Sequence, residues 1–246
     1  MAEDLGCSMG RVEQMIRYAY WNTGCKGIVI GLSGGIDSAV AAAFCCRAVG
    51  PDKVLALSLP SSVSNPADIR DAADLSKKLG MTHKVVRIDA MLESFRTIPE
   101  FVETPYLLGN LMARIRMTVL YYHANRDHCI VCGTSNRSEY MLGYCTKYGD
   151  NAADLQPILH LYKTDVYRVA RELGIPEPIM IKAPSAGLWE GQSDEREIGL
   201  TYTEIDSSLR ALEGHAWKAE TPTQEKVLAL VKKSLHKRVP APTVLP

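Results

Sequence analysis

The strongest constraint on the fold is the alternation of short apolar runs with helical patterns over residues 8–134. The apolar runs are rich in β-branched residues, as buried strands are, and lie at 27–32, 53–59, 83–88 and 128–134. Strands that alternate with helices form βαβ units, so these strands are expected to run parallel. The sequence therefore predicts an α/β fold, a doubly wound parallel sheet of about five strands with helices on both faces.

Helical periodicity and end signals place the helices. They are predicted at 8–22, 36–49, 66–78, 108–126, 164–173, 203–212 and 222–235. The dipeptide Asn65-Pro66 is typical of a helix start, because Asn caps free N–H groups and Pro fits the first helical position. Gly80 is typical of the end of the same helix. Asp89 is expected to cap the next one.

Composition limits the class of protein. The 246 residues carry 28 basic and 28 acidic side chains, so the net charge is zero and a dedicated nucleic-acid binder is disfavoured. No apolar run is long enough to cross a bilayer, and the first residues have no signal-peptide pattern. Seven cysteines without a secretion signal are typical of reduced thiols. A cytoplasmic protein is therefore expected.

The segment 32–38, Leu-Ser-Gly-Gly-Ile-Asp-Ser, lies between the first strand and its helix. Ligands of parallel sheets bind beyond the carboxyl ends of the strands. Two adjacent glycines allow close approach of a ligand, and the N–H groups of the helix start favour an anion. The segment has neither the lysine of a Walker A motif nor the G-x-G-x-x-G pattern. It predicts a different kind of phosphate site, although an ordinary strand-to-helix turn remains the alternative.

Asp37 is unusual in such a turn. A carboxylate repels phosphates unless a divalent cation lies between them, and Mg²⁺ binds carboxylate and phosphate oxygens together. The sequence therefore predicts Mg²⁺ at Asp37. The alternative is a plain acidic residue in the first turn of a helix.

The motif SGGIDS at 33–38 resembles the signature of the PP-loop ATP pyrophosphatases, which split ATP between its α and β phosphates. The signature alone does not choose among the families of that group. Longer blocks of sequence distinguish these families. They resemble the ammonia-dependent NAD synthetases in collinear order, at 110–125, 133–158, 161–176, 182–199 and 234–238. This resemblance implies an adenine nucleotide α-hydrolase-like fold in a single domain over 1–246, without a glutaminase domain.

The resemblance also implies the reaction. Members of the family are ligases that form NAD from deamido-NAD, ATP and ammonia. The nicotinate carboxylate attacks the α-phosphate of ATP, pyrophosphate leaves, and ammonia displaces AMP from the adenylate. Such chemistry depends on positioning and charge neutralisation more than on a covalent nucleophile.

The same resemblance assigns residues to roles. ATP binding is expected at Gly31, Leu32, Ser33, Gly34, Gly35, Ile36, Asp37, Ser38, Thr134, Lys163 and Ser185. Asp37 and Glu139 are expected to bind Mg²⁺, with Asp37 and Lys163 as catalytic residues. Deamido-NAD is expected to contact Arg114, Lys147, Asp154, His236 and Lys237. A lysine at a helix start is disfavoured by the helix dipole, which supports an anionic partner for Lys163.

The long helical segment 108–126 carries an apolar stripe with two interpretations. It is either part of the core of one chain or, as the resemblance implies, the interface of a homodimer with substrate lying across it. Arg114 and Arg116 are two residues apart and do not share a helix face, so one can contact a ligand while the other is structural. The loops 58–66 and 182–195 are expected to close over the phosphates and exclude water.

Two other functions remain to be compared. The first is a different PP-loop ligase or a tRNA-modifying enzyme, which usually carries an RNA-binding extension or extra basic charge. The second is a nucleotide sensor without catalysis, in which residues such as Asp37, Glu139 and Lys163 would be expected to be lost. The spacing Cys129-x-x-Cys132 does not predict zinc, because positions three apart in a strand point to opposite faces.

Overall fold

Four strands lie within the described part of the chain, each at one of the predicted apolar runs. The computed structural model describes residues 5–189 and 191–244. The strands are β1 (Gly27–Gly31), β2 (Val54–Ser58), β3 (Thr82–Val85) and β4 (Cys129–Cys132). All pair in parallel in the order β3-β2-β1-β4. An isolated parallel bridge joins Cys132 to Leu155, so the expected fifth strand is reduced to one residue pair.

Eleven α-helices lie in the described residues. They are α1 (Leu5–Thr23), α2 (Ile36–Val49), α3 (Pro66–Leu79), α4 (Asp89–Ser94), α5 (Pro105–Asp127), α6 (Arg137–Leu142), α7 (Lys163–Glu172), α8 (Glu177–Met180), α9 (Asp194–Ile198), α10 (Tyr202–Gly214) and α11 (Pro222–Lys233). The predicted helices are present with shifts of a few residues. Short helices such as α6, α8 and α9 were not predicted, because one turn carries no readable periodicity.

The end signals are confirmed for α3 but not for α4. The Asn65 side chain accepts a hydrogen bond from the Ala67 N–H, and Gly80 has the left-handed conformation of a helix C-cap. Asp89 is itself the first residue of α4 and caps nothing. Its carboxylate instead accepts a hydrogen bond of 2.6 Å from the Ser62 N–H. The expectation that Asp89 caps a helix was therefore wrong.

β1, β2 and β4 are buried on both faces, as strands of a covered parallel sheet are. β3 lies at the edge of the sheet and is mostly exposed, unlike the buried strand predicted at 83–88. Ile28 and Ile30 face a cluster with α1, α2 and α7. Val29, between them, faces the opposite cluster with α5. This period of two is the geometry of an extended strand. It also directs Cys132 and Cys129 into different clusters.

The connections create a crevice between β1 and β4. The chain leaves β1 through α2 to β2 on one side, then returns through α5 to place β4 on the other side. Such a switch in strand order opens a cleft at the carboxyl ends of the two strands. The segment 32–38 follows β1, and the segment 133–136 follows β4, so both lie at this cleft.

A third apolar cluster joins α6, α10 and α11. It contains buried side chains of α6, α10 and α11, among them Leu142, Leu209 and Val227. None of the helices in the described residues is long and apolar enough to cross a membrane.

Replacing Gly27 by alanine is expected to destabilise the fold by about 1–3 kcal/mol. A Cβ at this position would lie 2.8 Å from the Lys53 carbonyl oxygen and 3.1 Å from the Cys129 Sγ, so β1 would have to shift against its neighbours. The matched control is Gly10→Ala in α1, where a Cβ meets nothing within 4 Å. That control is expected to stabilise by about 0.5–1 kcal/mol. Denaturant unfolding measures both, and equal effects would contradict the packing argument.

Candidate active site

The turn after β1 has the shape that the glycine pair predicts. Gly34 has a φ of +83° and lies against α3, where a Cβ would come within 2.2 Å of the Asp68 carbonyl oxygen. Only glycine tolerates both the left-handed conformation and this close approach. Gly35 is the N-cap residue of α2, with no side chain to cap the helix. The first N–H groups of α2 therefore remain available to a ligand.

Two serine hydroxyls hold the turn from inside. The Ser33 N–H donates to the Ser38 Oγ at 3.3 Å, and the Ser38 hydroxyl donates to the Gly35 carbonyl at 2.9 Å. The Gly35 N–H donates to the Ser33 Oγ at 3.2 Å. These contacts fix the backbone before any ligand arrives, as an efficient anion site requires.

A buried lysine lies between two of the predicted metal ligands. Lys163, the first residue of α7, has a side chain that is 3% exposed. Its Nζ lies 2.5 Å from the Asp37 Oδ2 and 3.5 Å from the Glu139 Oε1. The structure thus brings together three residues that are 24 or more positions apart in sequence. An anionic partner for Lys163 was expected, and its partners here are carboxylates.

Asn136 connects these carboxylates and was missed by sequence analysis. Its side chain accepts from the Glu139 N–H, and the Glu139 carboxylate accepts from the Asn136 N–H, which makes a capping box at the start of α6. The Asn136 Nδ2 also donates to the Asp37 Oδ1 at 2.9 Å. The signal was present, because Asn followed three residues later by Glu is typical of a capped helix start.

The cluster has more negative than positive groups, and the pKa values reflect this. Burial first, and then the nearby Asp37 charge, raise the pKa of Glu139 to about 8. Burial alone would lower the pKa of Lys163, but Asp37 and Glu139 together raise it above its usual range. Lys163 therefore stays charged, while Glu139 holds its proton until the solution is mildly alkaline.

A third carboxylate, Asp194, also faces this cluster and was not predicted. It is 3% exposed, lies at the start of α9, and accepts a hydrogen bond from the Tyr202 hydroxyl at 3.2 Å. Burial raises its pKa, and the charge of Lys163 opposes that shift. The Tyr202 ring lies 5.1 Å from the Lys163 Nζ, a cation–π distance. Neither residue carries a local pattern that sequence reasoning could have used.

The backbone of Lys163 is held by a second layer of contacts. Its N–H donates to the Ser138 Oγ at 2.9 Å, and the Ser138 hydroxyl donates to the buried Asp206. The other oxygen of Asp206 accepts from the Thr164 N–H at 2.8 Å. A carboxylate at the N-terminus of α7 offsets the dipole that disfavours a lysine there.

Two further predicted ATP contacts follow β4 and α8. Thr134 lies two residues after the end of β4 and is half-buried at the same edge of the sheet as the glycine turn. Ser185 lies in the exposed part of the segment 182–195, where its Oγ accepts from the Gly187 N–H at 3.1 Å. Glu190, within the predicted closing loop, lies outside the described residues. The role of Ser185 in ATP binding stays a prediction.

Three of the predicted dinucleotide contacts lie around α5 and β4. Arg114 is exposed and donates from Nε and Nη2 to the Lys147 carbonyl at 3.3 and 3.2 Å. Asp154 accepts from the Val131 N–H at 2.7 Å and from the Tyr121 hydroxyl at 3.1 Å. The neighbouring Arg116 points elsewhere, and its Nε donates to the Leu59 carbonyl at 3.0 Å. The predicted difference in direction between the two arginines is present.

The other two predicted contacts, His236 and Lys237, lie in a short 3₁₀ turn after α11. His236 is exposed. The Lys237 ammonium donates to the Gly143 and Cys145 carbonyls at 2.7 and 2.6 Å, so here it binds the backbone that follows α6. This contact brings Lys237 to the same segment, 143–151, that carries Lys147.

The donor set at the cluster is suited to a hard divalent cation. Asp37 and Glu139 offer carboxylate oxygens, which Mg²⁺ prefers. Burial and the nearby charge of Asp37 raise the pKa of Glu139 even with the Lys163 ammonium 3.5 Å away, so the site favours added positive charge. The residues present therefore fit the predicted metal.

A parallel sheet with a glycine turn and a carboxylate–lysine cluster at its switch point is typical of α/β enzymes that act on nucleotide phosphates. Within that class, the chain belongs to the NAD synthase family, whose family model matches residues 8–241. The family predicted from the sequence is thereby confirmed.

Individual relatives resemble the chain over its full length. It is 71% identical over 245 residues to the NH(3)-dependent NAD(+) synthetase of Methanoregula boonei, covering 100% of this chain and 99% of that protein. Among solved structures, it is similar to an NMN synthetase from Francisella tularensis, with a TM-score of 0.90, 37% identity and coverage of 98% of both chains. It is also similar to the NH3-dependent NAD synthetase from Campylobacter jejuni, with a TM-score of 0.84, 33% identity and coverage of 99% and 100%.

The raised pKa of Glu139 predicts how stability depends on pH. Between the ordinary value of 4.5 and about 8, folded Glu139 keeps a proton that the unfolded chain has released, so its effect on stability becomes less favourable as pH rises through this window. Glu139→Gln removes this titration. Its stability relative to wild type should therefore rise by on the order of 3 kcal/mol from pH 5 to pH 8.

Urea unfolding of the metal-free protein at several pH values measures this difference. The matched control is Glu172→Gln, at the exposed end of α7, for which we expect a constant difference. A pH-independent difference for Glu139→Gln would show that Glu139 is ionised throughout.

Proposed function

We propose that the protein forms NAD from deamido-NAD, ATP and ammonia through an adenylated intermediate, releasing AMP and pyrophosphate. The observation that carries this proposal is the buried lysine between Asp37 and Glu139, directly beside the glycine turn at the switch point. The family membership and the full-length similarity to an ammonia-dependent relative support the choice of substrate.

The geometry suggests how each element contributes. The N–H groups at the start of α2 and the hydroxyls of Ser33 and Ser38 would bind phosphate oxygens of ATP. The substrate carboxylate attacks the α-phosphate, a P–O bond forms, and the bond to pyrophosphate breaks. Ammonia then adds to the activated carbonyl carbon and releases one proton to solvent, and AMP leaves with the electron pair of the C–O bond. Fixed donors and bound reactants supply most of the rate in such a reaction.

Lys163 would supply positive charge where it is buried and little screened. Its ammonium is held in place by two carboxylates and by the aromatic face of Tyr202. As pyrophosphate leaves, negative charge grows on the bridging oxygen, and a preorganised cation stabilises that charge more than water would. We therefore retain Lys163 as a catalytic residue of the proposed reaction.

Asp37 and Glu139 would hold Mg²⁺. When bound, the ion neutralises phosphate charge and favours departure of pyrophosphate. Asn136 keeps the Asp37 carboxylate oriented through its 2.9 Å hydrogen bond, and the capping box keeps Glu139 at the start of α6. The two carboxylates are thus fixed by contacts that do not depend on the ion.

A mononucleotide is the alternative substrate, because one similar structure is an NMN synthetase. Amidation of nicotinate mononucleotide would use the same carboxylate chemistry and the same ATP site. The two substrates differ only in the adenylate half of the dinucleotide. The residues proposed to bind deamido-NAD are Arg114, Lys147, Asp154, His236 and Lys237.

The deciding experiment mixes the purified protein with Mg-ATP, deamido-NAD and an ammonium salt, and follows NAD by a coupled dehydrogenase and nucleotides by chromatography. Parallel reactions contain glutamine in place of ammonium, or nicotinate mononucleotide in place of deamido-NAD. We expect NAD and an equal amount of AMP, from ammonium only. Faster amidation of the mononucleotide would reassign the substrate, and ATP binding without any turnover would favour a nucleotide sensor.

Asp37→Asn should reduce NAD formation by at least about 100-fold while the protein stays folded, because the metal loses a charged ligand and Lys163 loses its nearest carboxylate. Asp74→Asn, an exposed position on α3, is the control and should retain full activity. Full activity of Asp37→Asn would refute the metal role.

We also propose a cytoplasmic location. Six cysteines of the described residues carry free thiols. The Cys45 and Cys132 sulfurs lie only 3.5 Å apart without a bond, a pairing that persists as thiols in a reducing compartment.

We further propose that the protein is a homodimer that packs along α5. The solvent-facing stripe of this helix includes Leu107, Arg114, Thr118 and Tyr122, at helical spacing. Leu107 is 47% exposed and Tyr122 is 62% exposed, which leaves apolar surface on both sides of Arg114. A second copy on this stripe would place Arg114 at the interface, next to a substrate bound across it.

Tyr122→Glu should therefore dissociate the dimer and weaken deamido-NAD binding, with a rise in KM of about tenfold, because a carboxylate would be buried in an apolar contact. The control, Tyr18→Glu, changes a tyrosine of α1 that is 72% exposed and should leave both properties unchanged. Sedimentation and steady-state kinetics test both variants. A wild-type monomer with full activity would contradict the dimer proposal.

A further inference from the structure

Lys182 contacts the back of the phosphate turn, a position that sequence analysis did not single out. It follows α8 and begins the segment 182–195. Its Nζ donates to the Gly34 carbonyl at 3.1 Å. The same ammonium lies 2.6 Å from the Asp68 Oδ1 and 2.5 Å from the Asp71 Oδ2, both on α3. One cation thus joins three elements: the turn, α3 and the start of the predicted closing loop.

The two carboxylates belong to the same face of α3. Asp68 and Asp71 are three residues apart, a spacing that makes them neighbours on a helix. Asp68 is also the residue whose carbonyl lies against Gly34, where a Cβ would come within 2.2 Å. The side of the turn that faces α3 therefore has two negative groups close behind the proposed phosphate site.

Two unpaired carboxylates at this place would oppose binding of ATP. Like charges repel over several ångströms, and the repulsion increases where protein atoms replace water. The Lys182 side chain is 26% exposed, and those of Asp68 and Asp71 are 36% and 22% exposed, so water screens them only in part. The Lys182 ammonium, in contact with both carboxylates, compensates this charge.

The contact to Gly34 also orients one peptide group. The Gly34 carbonyl accepts from Lys182, and the N–H of the same peptide, on Gly35, donates to the Ser33 Oγ. Because the peptide is planar, bonds at its two ends determine its direction. The carbonyl dipole is thereby turned toward the lysine and away from the phosphate site.

We propose that Lys182 is a positioning residue for ATP: it compensates Asp68 and Asp71 behind the glycine turn and holds the Gly34 carbonyl away from the phosphates. The inference rests on the proposed ATP-dependent function. It assigns Lys182 no contact with the reacting atoms, so its effect belongs to ATP binding and not to the chemical step.

The test is the steady-state kinetics of Lys182→Met. We expect the KM for Mg-ATP to rise about tenfold, with kcat and the KM for deamido-NAD within about twofold of wild type. Lys182→Arg keeps the charge and should recover most of the ATP affinity. The matched control is Lys78→Met, because exposed Lys78 of α3 donates to the Gly174 carbonyl at 2.6 Å and removal of its charge should leave KM unchanged.

A charge-rescue variant separates compensation from simple tethering. Lys182→Met combined with Asp68→Asn and Asp71→Asn removes the lysine and the charges it offsets, so the KM for Mg-ATP should return to within about threefold of wild type. Asp68→Asn with Asp71→Asn alone keeps Lys182 and should leave this KM equal or lower. Melting temperatures of all variants report folding separately.

Each result is decisive for one of the two claims. An unchanged KM in Lys182→Met overturns the role of Lys182 while wild-type activity stands. A raised KM that the rescue variant does not lower, or a raised KM in Asp68→Asn with Asp71→Asn, overturns the compensation of the two carboxylates. Absence of ATP turnover and ATP binding in the wild type would instead overturn the proposed function.

Discussion

The ion pair between Lys163 and Asp37 is the interaction on which the candidate site depends. It joins the start of α7 to the start of α2, and Glu139 adds the start of α6 at 3.5 Å. A lysine that is 3% exposed is stable only with such partners, since an isolated buried charge costs several kcal/mol. The starts of three helices, α2, α6 and α7, therefore meet at one ammonium group.

The same cluster explains why a cation and a polyanion would bind together. Asp37, Glu139 and Asp194 share one lysine. Burial raises the pKa of both Glu139 and Asp194, and the charge of Asp37 raises that of Glu139 further. A divalent cation would relieve this excess of negative charge, and the phosphates of ATP would then find a positive site beside the N–H groups of α2. In our proposal Lys182 compensates the negative charge of Asp68 and Asp71, which lie behind Gly34.

Much of this organisation could be predicted from local patterns. The strand, the glycine pair and the acidic first turn of α2 are contiguous, so both the phosphate site and the role of Asp37 could be proposed from one segment. Asn65 and Gly80 marked the ends of α3 for the same reason. Asp89 shows the limit of this reasoning, because a capping residue was expected and the carboxylate instead binds the Ser62 N–H, 27 residues away. The sheet was predicted to have about five strands and has four in the described residues, because Leu155 forms one bridge to Cys132 and no ladder.

The sequence by itself thus determined the order of the elements, the parallel sheet and the character of the turn, because each depends on neighbouring residues and on periodicity. The tertiary structure decided which distant groups meet. Asp194 and Tyr202 approach Lys163 from α9 and α10, and Lys182 reaches Asp68 and Gly34 from the segment after α8. Contacts of this kind depend on packing among many side chains, so no local sequence pattern predicts them.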